Sequence, residues 1–465
     1  MKGRRCAPQC RAAGLALLVG VVACAPQAPL RRPDIVLITL DTTRADHLGA
    51  YGAAPGRTPN LDRLAARGSV FEQARAQASV TPVSHASIFT GQNPYTHGLR
   101  VLHGLRDNRL PAAARTLAEV LRDAGYRTAA FTSAFPVTRR FGLDQGFEHF
   151  DEAFLDETSG HVESDGTVDT GGSQRRSDAT TGRALAWLAR ERDGDAPLFV
   201  WVHYFDPHDV IVEPPQEFID RAGPLPTAER PLLRALYAIE VSYMDMQIGR
   251  LLEAFDPDES IVAVISDHGE GLGDHDWWTH GLLYEEQIHV PLIVAGAGVA
   301  AGGRRVRDPV SSIDVAPTLL ELAGIDAANW PAFEGRSLVA GLHGRPLGPA
   351  PASYADSLSR LDYHFTRRIV DRKRDRLVSL VEPGADGVWK YIHHVEAPGR
   401  SELYELTADP DEARNVFASH RERVQRMRGE LRRRTRAAKE AAAQAPAEPM
   451  SEDDARRLRA LGYGR

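Results

Sequence analysis

The sequence predicts an α/β fold, a mainly parallel sheet flanked by helices, with a small C-terminal antiparallel sheet. From residue 33 to about residue 324, apolar runs of strand length alternate with stretches of helical periodicity, which is typical of βαβ units. After residue 338 the pattern changes to short β-type runs between turn residues, which indicates a second, smaller sheet. The composition, 43% hydrophobic and 26% charged, is that of a globular domain.

Runs of β-branched and aromatic residues predict the strands of the main sheet, which are Ile35–Leu40, Thr128–Thr132, Leu198–His203, Ile261–Ser266 and Val290–Ala295. Between them, apolar residues at helical spacing predict helices over Thr116–Ala124 and Ala235–Ala254. Residues 151–177, rich in Gly, Ser, Thr and Asp, are predicted to form an exposed loop. The short runs assigned to the second sheet are 361–368, 376–381, 388–394 and 401–406.

The first residues indicate an export signal. Basic residues precede the apolar stretch Ala12–Ala23, which is too short to span a bilayer as a mature helix. The stretch ends in Val21-Val-Ala-Cys24, which is similar to the bacterial lipoprotein box. We therefore expect a signal peptide over residues 1–23, a lipid anchor on Cys24, and a place in the bacterial cell envelope, periplasmic or on the outer surface. An ordinary cleaved signal is the alternative. The other two cysteines precede Cys24, so no cysteine nucleophile or disulfide is expected.

The remaining chain divides by pattern into three parts. Residues 24–338 are predicted to form the α/β catalytic domain, residues 339–418 the antiparallel subdomain, and residues 419–465 a basic helical tail. The arginines of that tail are expected on a solvated helix surface, with a membrane-surface or polyanion contact as the alternative. The net charge of -7 argues against nucleic acid as a partner.

Carboxylates follow two of the predicted strands. Asp41 comes directly after Ile35–Leu40, and Asp267 with His268 follows Ile261–Ser266. Ligands of open α/β sheets bind at the carboxyl ends of the strands. Because two carboxylates and an imidazole are good ligands for a divalent cation, the sequence predicts a metal site of Asp41, Asp267 and His268 at this edge.

Thr81 begins a predicted helix, with Pro82 suited to its first turn. A hydroxyl at this position feels the positive end of the helix dipole, which favours an oxyanion or its ester. A threonine alcohol is a poor nucleophile alone, but a metal ion can stabilise its alkoxide. We therefore predict that Thr81 is a metal-bound nucleophile; the alternative is that Thr81 only caps the helix.

Several motifs, in order, resemble the sulfatases and sulfatase-like proteins of the alkaline phosphatase superfamily, over about residues 34–416. The matching stretches are Val36-Leu-Ile-Thr-Leu-Asp41, Asp46-His-Leu-Gly-Ala-Tyr-Gly52, Thr58-Pro-Asn-Leu-Asp-Arg-Leu64, Ser84-His-Ala-Ser-Ile-Phe-Thr-Gly91, Phe205-Asp-Pro-His208, Ser266-Asp-His-Gly-Glu270, His280-Gly-Leu-Leu-Tyr-Glu-Glu286, Asp314-Val-Ala-Pro-Thr318 and Leu403-Tyr-Glu-Leu-Thr-Ala-Asp-Pro410. The resemblance implies an alkaline-phosphatase-like fold and hydrolysis of sulfate or phosphate esters.

The chain also departs from the family pattern. Counting back from Thr90-Gly91 places Thr81 where the family has the Cys or Ser that becomes formylglycine, and His85 where it has an arginine. Threonine cannot become formylglycine, and Ser84 is a minor alternative nucleophile. The family's paired aspartates become Asp41-Thr42, and its later Asp-Asn becomes Asp267-His268. This gain of an imidazole favours zinc or manganese, with calcium or magnesium left open.

By resemblance, Asp41, Thr81, Asp267 and His268 correspond to the first metal site of threonine-dependent phosphodiesterases and phosphoethanolamine transferases. His208 and His280 match positions that contact the substrate oxyanion or hold a second metal, and His85 is a further catalytic candidate. We expect an ester hydrolase acting on a sulfated or phosphorylated glycan, lipid or small molecule through a covalent ester on Thr81. The alternative is a catalytically silent relative that binds such a ligand.

Overall fold

The computed structural model describes residues 1, 31–100, 106–107, 109–156, 173–192, 194–208, 214–360, 362–364, 369–442, 448–461 and 463. The predicted signal segment, Cys24 and most of the predicted loop at 151–177 lie outside these residues, so the lipid anchor stays a prediction. The compact unit considered below spans Pro33–Arg465. In the described part of the chain, we find no helix with the length and apolar character needed to cross a membrane.

The strands are β1 Asp34–Leu40, β2 Ser69–Phe71, β3 Ala74–Arg75, β4 Arg106–Asp107, β5 Arg127–Phe131, β6 His149–Asp151, β7 Leu198–Tyr204, β8 Ser260–Ser266, β9 His289–Val290, β10 Leu292–Gly296, β11 Arg304–Val306, β12 Val310–Ser311, β13 Ser353–Ser357, β14 Asp362–His364, β15 Val370–Arg372, β16 Leu377–Gly384, β17 Gly387–His394, β18 Glu402–Glu405 and β19 Glu448–Pro449.

The α-helices are α1 Pro59–Arg67, α2 Thr81–Thr90, α3 Pro94–His97, α4 Leu117–Asp123, α5 Ser177–Glu191, α6 Gln216–Ala222, α7 Glu229–Leu252, α8 Glu285–Ile288, α9 Val315–Leu322, α10 Val339–Leu342, α11 Arg421–Ala442 and α12 Glu452–Ala460. Short 3₁₀ turns occupy Ala45–His47, Gly49–Tyr51, Phe135–Val137, Arg139–Phe141, Ala153–Asp156, Asp206–His208, Asp274–Asp276, Ser312–Asp314, Ala327–Asn329 and Pro398–Arg400.

The main sheet has eight strands in the order β11-β2-β10-β8-β1-β7-β5-β6. Strand β1 lies at its centre and pairs in parallel with both β7 and β8. Strand β10 runs antiparallel to β8 and to β2, so the sheet is mainly but not wholly parallel. The predicted α/β class is therefore confirmed.

Both faces of the main sheet are buried, as the continuous apolar runs of its strands require. Ile35 and Leu37 of β1 pack into one apolar cluster, and Val36, Ile38 and Leu40 pack into another. Because side chains alternate along a strand, these two clusters lie on opposite faces of the sheet. Helix α2 is buried over its whole length on the side of the first cluster.

One predicted strand is wrong in its extent. The run Val290–Ala295 was expected to form a single strand, but Pro291 divides it into β9 and β10. Proline lacks the N–H that a continuous strand donates. Strand β9 therefore pairs with β3, whereas β10 pairs with β8.

The small sheet has the order β13-β16-β17-β18, and each neighbouring pair is antiparallel. Helix α11 packs on this sheet through Val424, Met427 and Leu431. These residues recur at helical spacing and form one apolar stripe. Arginines such as Arg426 and Arg433 on the other faces are exposed, as expected for the outer side of such a helix.

A buried ion network joins the small sheet to α8 and β3, and β3 lies in a separate three-stranded sheet of order β12-β3-β9. The Lys390 ammonium of β17 lies 3.0 Å from Glu285 Oε1 of α8 and 3.0 Å from Glu412 Oε1. Arg75 of β3 completes the network with a 2.8 Å contact to Glu285. Burial raises the pKa of Glu412 to about 7, although Lys390 acts against this shift.

Replacing Lys390 with methionine is expected to lower the free energy of unfolding by about 3–5 kcal/mol, because it leaves a buried carboxylate without its partner. Chemical unfolding followed by tryptophan fluorescence would measure this loss. The double variant Lys390→Met/Glu412→Gln should regain part of the stability because it removes the unpaired charge as well. A single variant as stable as the wild-type chain would show that the network contributes nothing.

Candidate functional site

The two predicted carboxylates meet at the carboxyl edge of the main sheet. Asp41 directly follows β1, and Asp267 directly follows the adjacent β8. Their backbone continues the strand pairing, since Asp41 N donates to Tyr204 O at 2.8 Å and Asp267 N donates to Leu40 O at 3.1 Å. Both side chains are fully buried. The strand register thus places two acidic groups side by side.

Each carboxylate has one hydrogen-bonded oxygen and one buried oxygen with no hydrogen-bond partner among the described residues. Asp267 Oδ1 accepts from Thr42 N at 3.1 Å and from His268 N at 2.7 Å, whereas Asp267 Oδ2 has no partner. Likewise, Asp41 Oδ2 bonds to His203, and Asp41 Oδ1 has no partner. Since buried oxygens are normally satisfied, this pair fits a cation.

His268 completes a group that can hold a metal ion. One ligand atom from each of Asp41, Asp267 and His268 lies within 4.8 Å of the others. The Nδ1–H of His268 donates to Gly269 O at 3.0 Å, so Nε2 carries a lone pair. Such a bond on the far nitrogen is the usual way in which proteins orient a metal-ligating imidazole.

The electrostatics of the pair also fit a cation. Burial raises the pKa of both Asp41 and Asp267 well above the ordinary range, and the charge of Asp41 raises the pKa of Asp267 further. A nearby Thr81 hydroxyl lowers the pKa of both in part. A bound divalent ion would lower the pKa of both carboxyl groups, because it favours their ionised forms.

Thr81 lies beside this group at the first turn of α2. Val80 occupies the cap position, and neither residue caps the helix through its side chain. The hydroxyl of Thr81 instead lies 3.2 Å from His268 Nε2, where it can donate to the lone pair. The predicted nucleophile and the predicted metal ligands therefore share one buried site.

Thr42 has an unusual backbone conformation next to the site. Its φ of 48° lies in the left-handed region, which a β-branched residue rarely adopts. The Tyr237 hydroxyl holds this conformation by donating to Thr42 O at 2.7 Å. In this conformation Thr42 N points at Asp267 Oδ1, so the strained residue helps to orient a carboxylate.

His85 contacts the backbone of the nucleophile rather than its hydroxyl. Its Nδ1–H donates to Thr81 O at 2.9 Å, and its Nε2 accepts from the Thr39 hydroxyl at 3.0 Å. Trp201 Nε1 in turn donates to Thr39 Oγ1 at 2.9 Å. For this catalytic candidate the structure thus shows a backbone contact, and His85 here orients the first turn of α2.

His203 is a further site residue, and no motif of the sequence indicated it. Ser133 N donates to its Nδ1 at 3.3 Å, so the proton lies on Nε2, which donates to Asp41 Oδ2 at 3.1 Å. Burial lowers the pKa of His203 to about 3, which keeps the ring neutral. The available signal was its position near the end of β7, next to β1 in the sheet.

His208 and His280 also lie at the site, close to His268 and to each other. The His280 ring centroid is 4.6 Å from that of His268 and 5.4 Å from that of His208. The Nδ1–H of His280 donates to Ser79 O at 2.9 Å, which leaves Nε2 as an acceptor. Burial lowers the pKa of His280 to about 4 and the pKa of His208 well below its ordinary value.

Tyr463, near the end of the chain, also reaches the site, and no motif pointed to it. Its hydroxyl lies 3.4 Å from Thr81 Oγ1 and 3.2 Å from His208 Nε2. Burial raises the pKa of this phenol well above its ordinary value, and the charge of Asp41 adds to the shift. The phenol is therefore neutral, with a hydroxyl proton to donate.

Three other side chains near the predicted motifs are hydrogen-bonded to the protein backbone. The Ser84 hydroxyl donates to Asp267 O at 2.6 Å, so it is bonded away from the nucleophile position. Asp314 accepts backbone N–H bonds from Ser311 and Arg336, both at 2.8 Å. Trp277 Nε1 donates to His280 O at 3.0 Å and so anchors the loop that carries His280.

The fold and the site together define a class of protein: an α/β protein whose sheet edge carries a buried acidic group, able to hold a metal ion, beside a threonine hydroxyl. Comparison with known families identifies the class more narrowly. The Sulfatase family model matches residues 33–325, and the model described as N-sulphoglucosamine sulphohydrolase, C-terminal, matches residues 273–440. The chain therefore belongs to the sulfatase family of the alkaline phosphatase superfamily, and it is an ester hydrolase.

Individual relatives agree with this assignment. The Delta 4,5-hexuronate-2-O-sulfatase of Bacteroides thetaiotaomicron is 26% identical over 86% of this chain and 87% of its own. The multifunctional alkaline phosphatase superfamily protein PehA of Trinickia caryophylli is also 26% identical, over 83% and 91%. Among solved structures, the phosphonate monoester hydrolase of Agrobacterium radiobacter aligns with a TM-score of 0.64 at 22% identity, over 88% of this chain and 96% of its own, which shows a shared fold.

Proposed function

We propose that this protein is a metal-dependent hydrolase of sulfate or phosphate esters that uses Thr81 as its nucleophile. The observation that carries the proposal is the position of the Thr81 hydroxyl, 3.2 Å from His268 Nε2 at the buried Asp41–Asp267 pair. A nucleophilic oxygen this close to the ligand atoms of a metal site can itself bind the ion, which would stabilise its alkoxide.

Asp41, Asp267 and His268 would hold the divalent ion. Two carboxylates and one imidazole favour zinc or manganese, although calcium and magnesium also accept such oxygen ligands. When bound, the ion would stabilise the negative charge on the Thr81 oxygen and on the ester. His203 supports the site by orienting Asp41, and Thr42 N supports it by orienting Asp267.

The chain's own groups supply the remaining chemistry. Thr81 Oγ1 gives up its proton to solvent and attacks the phosphorus or sulfur in line. A covalent ester on Thr81 replaces the bond to the leaving group, whose oxygen takes its proton from solvent. His208 is a neutral imidazole 3.2 Å from the Tyr463 hydroxyl, and it would hydrogen-bond to the non-bridging oxygens of the ester. His280 presents a lone pair, and it can therefore take a proton from the water or acceptor alcohol that cleaves the Thr81 ester.

Threonine favours phosphoryl transfer, whereas the family favours sulfate esters. A threonine oxygen cannot form the aldehyde hydrate on which formylglycine sulfatases depend, so the ester on Thr81 must be cleaved by direct attack on its central atom. The relatives include a hexuronate sulfatase, and this chain shares a fold with a phosphonate monoester hydrolase. We therefore place phosphate mono- or diesters first, on a glycan, lipid or small molecule, and sulfated saccharides second.

A matched panel of 4-nitrophenyl phosphate, bis(4-nitrophenyl) phosphate and 4-nitrophenyl sulfate would test this order. The purified chain would be assayed with each ester after loading with zinc, manganese, magnesium or calcium. We expect turnover of a phosphate ester at a rate at least tenfold above that of the sulfate. Faster turnover of the sulfate would contradict the phosphoryl assignment. Bound metal without turnover of any ester would instead favour the silent, ligand-binding alternative, which Thr42 and His85 support by replacing family Asp and Arg.

A further inference from the structure

Tyr463, which follows α12, enters the site described above. Tyr463 is 5% exposed, and its ring centroid lies 5.3 Å from that of His280 and 5.7 Å from that of His208. Its hydroxyl contacts both Thr81 Oγ1, at 3.4 Å, and His208 Nε2, at 3.2 Å. We propose that Tyr463 is a catalytic residue whose hydroxyl donates a hydrogen bond to the ester group that Thr81 attacks. The inference rests on the proposed function.

Helix α12 holds Tyr463 firmly in place. Leu458 and Leu461 are buried in the large apolar cluster of the main domain. Asp454 forms a 2.8 Å ion pair with Arg140, and both side chains are less than one-fifth exposed. The backbone of Tyr463 is bonded twice, through a 3.0 Å bond from its N–H to Leu458 O and through an antiparallel bridge to Tyr363. The tyrosine is therefore a built part of the site.

The proton of Tyr463 complements its neighbours. His268 and His280 each give their Nδ1–H to a backbone carbonyl, so both turn a lone pair towards the site. An ester group under attack by Thr81 gains negative charge on its non-bridging oxygens, which need donors. A hydroxyl 3.4 Å from the nucleophile is within reach of an oxygen on the attacked atom. Tyr463 brings an O–H to a cluster of acceptors.

The contact with His208 adds a second task. The His208 ring is stacked on Phe205 with centroids 4.2 Å apart, which restrains it on one side. The Tyr463 hydroxyl restrains its Nε2 on the other side. The tyrosine thereby fixes the orientation of the imidazole in the site. Phe205 and Tyr463 are far apart in the chain. Both contacts with His208 therefore form only when α12 is packed against the main domain.

Tyr463→Phe removes this one hydroxyl and keeps the ring. We expect kcat to fall by about tenfold to a thousandfold, the range for loss of one donor to a developing oxyanion. KM should change little if the bond strengthens only in the transition state. The substrate is whichever of the three 4-nitrophenyl esters the wild-type chain hydrolyses. Inhibition by orthovanadate, which resembles the transition state, should weaken by at least tenfold.

Tyr354→Phe is the matched control, because Tyr354 is equally buried but its hydroxyl donates to Asp356 of the small sheet. Its kcat and its vanadate inhibition should match those of the wild-type chain. An unchanged or raised kcat in Tyr463→Phe would overturn the inference. A raised kcat would indicate instead that the Tyr463 hydroxyl inhibits turnover. If Thr81→Ala keeps full activity, the proposed function fails instead, so the two failures are distinguishable. Thermal unfolding of each variant would show that a loss of kcat is not a loss of fold.

Discussion

Replacing Thr81 with alanine is expected to reduce kcat on the hydrolysed ester by a factor on the order of 10³ to 10⁶, with the fold retained. The range is that seen when a catalytic nucleophile is removed. Alanine removes the oxygen that lies 3.2 Å from His268 Nε2 and leaves the backbone contact of His85 with Thr81 O intact. Alanine also favours a helix more than threonine does, so α2 should persist.

Three further variants make this result specific. Thr81→Ser keeps a hydroxyl in the same place and should retain measurable turnover. Thr90→Ala removes a buried hydroxyl from the same helix, one that donates to Ala86 O at 2.7 Å, and should leave kcat unchanged. Ser84→Ala tests the minor alternative nucleophile and should also remain active. Full activity of Thr81→Ala would contradict the proposed mechanism.

The covalent ester gives a second readout. Rapidly quenched reactions analysed by mass spectrometry should show a phosphoryl or sulfuryl adduct on the peptide that contains Thr81. The adduct should be absent in Thr81→Ala and present in Thr90→Ala. An adduct on another residue would move the nucleophile elsewhere.

Replacing Asp267 with asparagine is expected to make the metal-free protein more stable than the wild-type chain, and the metal-loaded protein less stable. In the metal-free protein the substitution should raise the free energy of unfolding by about 1–3 kcal/mol, since it removes one of two buried groups whose charges repel. The amide oxygen can accept from Thr42 N and His268 N as Asp267 Oδ1 does. Asp267 Oδ2 lies 3.4 Å from His268 Nε2. The amide nitrogen of the asparagine would take the place of this oxygen and could donate a hydrogen bond to His268 Nε2.

In the presence of a divalent ion the wild-type chain should be the more stable of the two. The wild-type chain gains stability with metal concentration, because an ion that binds the folded state shifts the equilibrium towards it. Asp267→Asn loses a charged ligand and should gain much less. Chelation with EDTA should abolish wild-type turnover and lower its thermal midpoint, and should leave the midpoint of the variant almost unchanged.

The pH dependence of the metal-free protein follows from the same carboxylates. Their folded pKa values are raised above the ordinary value of 3.8, so the folded chain binds more protons than the unfolded chain above that value. The free energy of unfolding contributed by this pair must therefore fall as the pH rises from about 4 through the raised pKa values. Asp267→Asn should flatten this slope.

Asp314→Asn is the matched control. Asp314 is another buried carboxylate with a pKa raised to about 6, but both of its oxygens accept backbone N–H bonds. An asparagine there loses one acceptor, so the variant should be less stable both with and without metal. If Asp267→Asn behaves in the same way as this control, the acidic pair is a structural feature and not a metal site.

Much of the framework was predictable because it depends on local pattern. The apolar runs before Asp41 and Asp267 predicted β1 and β8, and the parallel arrangement then implied that their ends share one edge. Thr81 at the start of α2 followed from the proline after it and from the helical run beyond. The strand predicted over Val290–Ala295 was wrong in extent because Pro291, which has no N–H to donate, interrupts the strand pairing.

The identity of the site's supporting residues was decided by tertiary structure. His203 and Asp41 are 162 positions apart and Tyr463 and Thr81 are 382 positions apart, separations at which no local pattern signals a contact. The orientation of His85 towards Thr81 O depends on a hydroxyl from β1. The sequence by itself thus determined the strands, the acidic ends and the family, since these follow from periodicity and motif order. Tertiary packing alone decided which imidazoles turn lone pairs towards Thr81 and which phenol reaches it, because side-chain direction is set by distant hydrogen-bond partners.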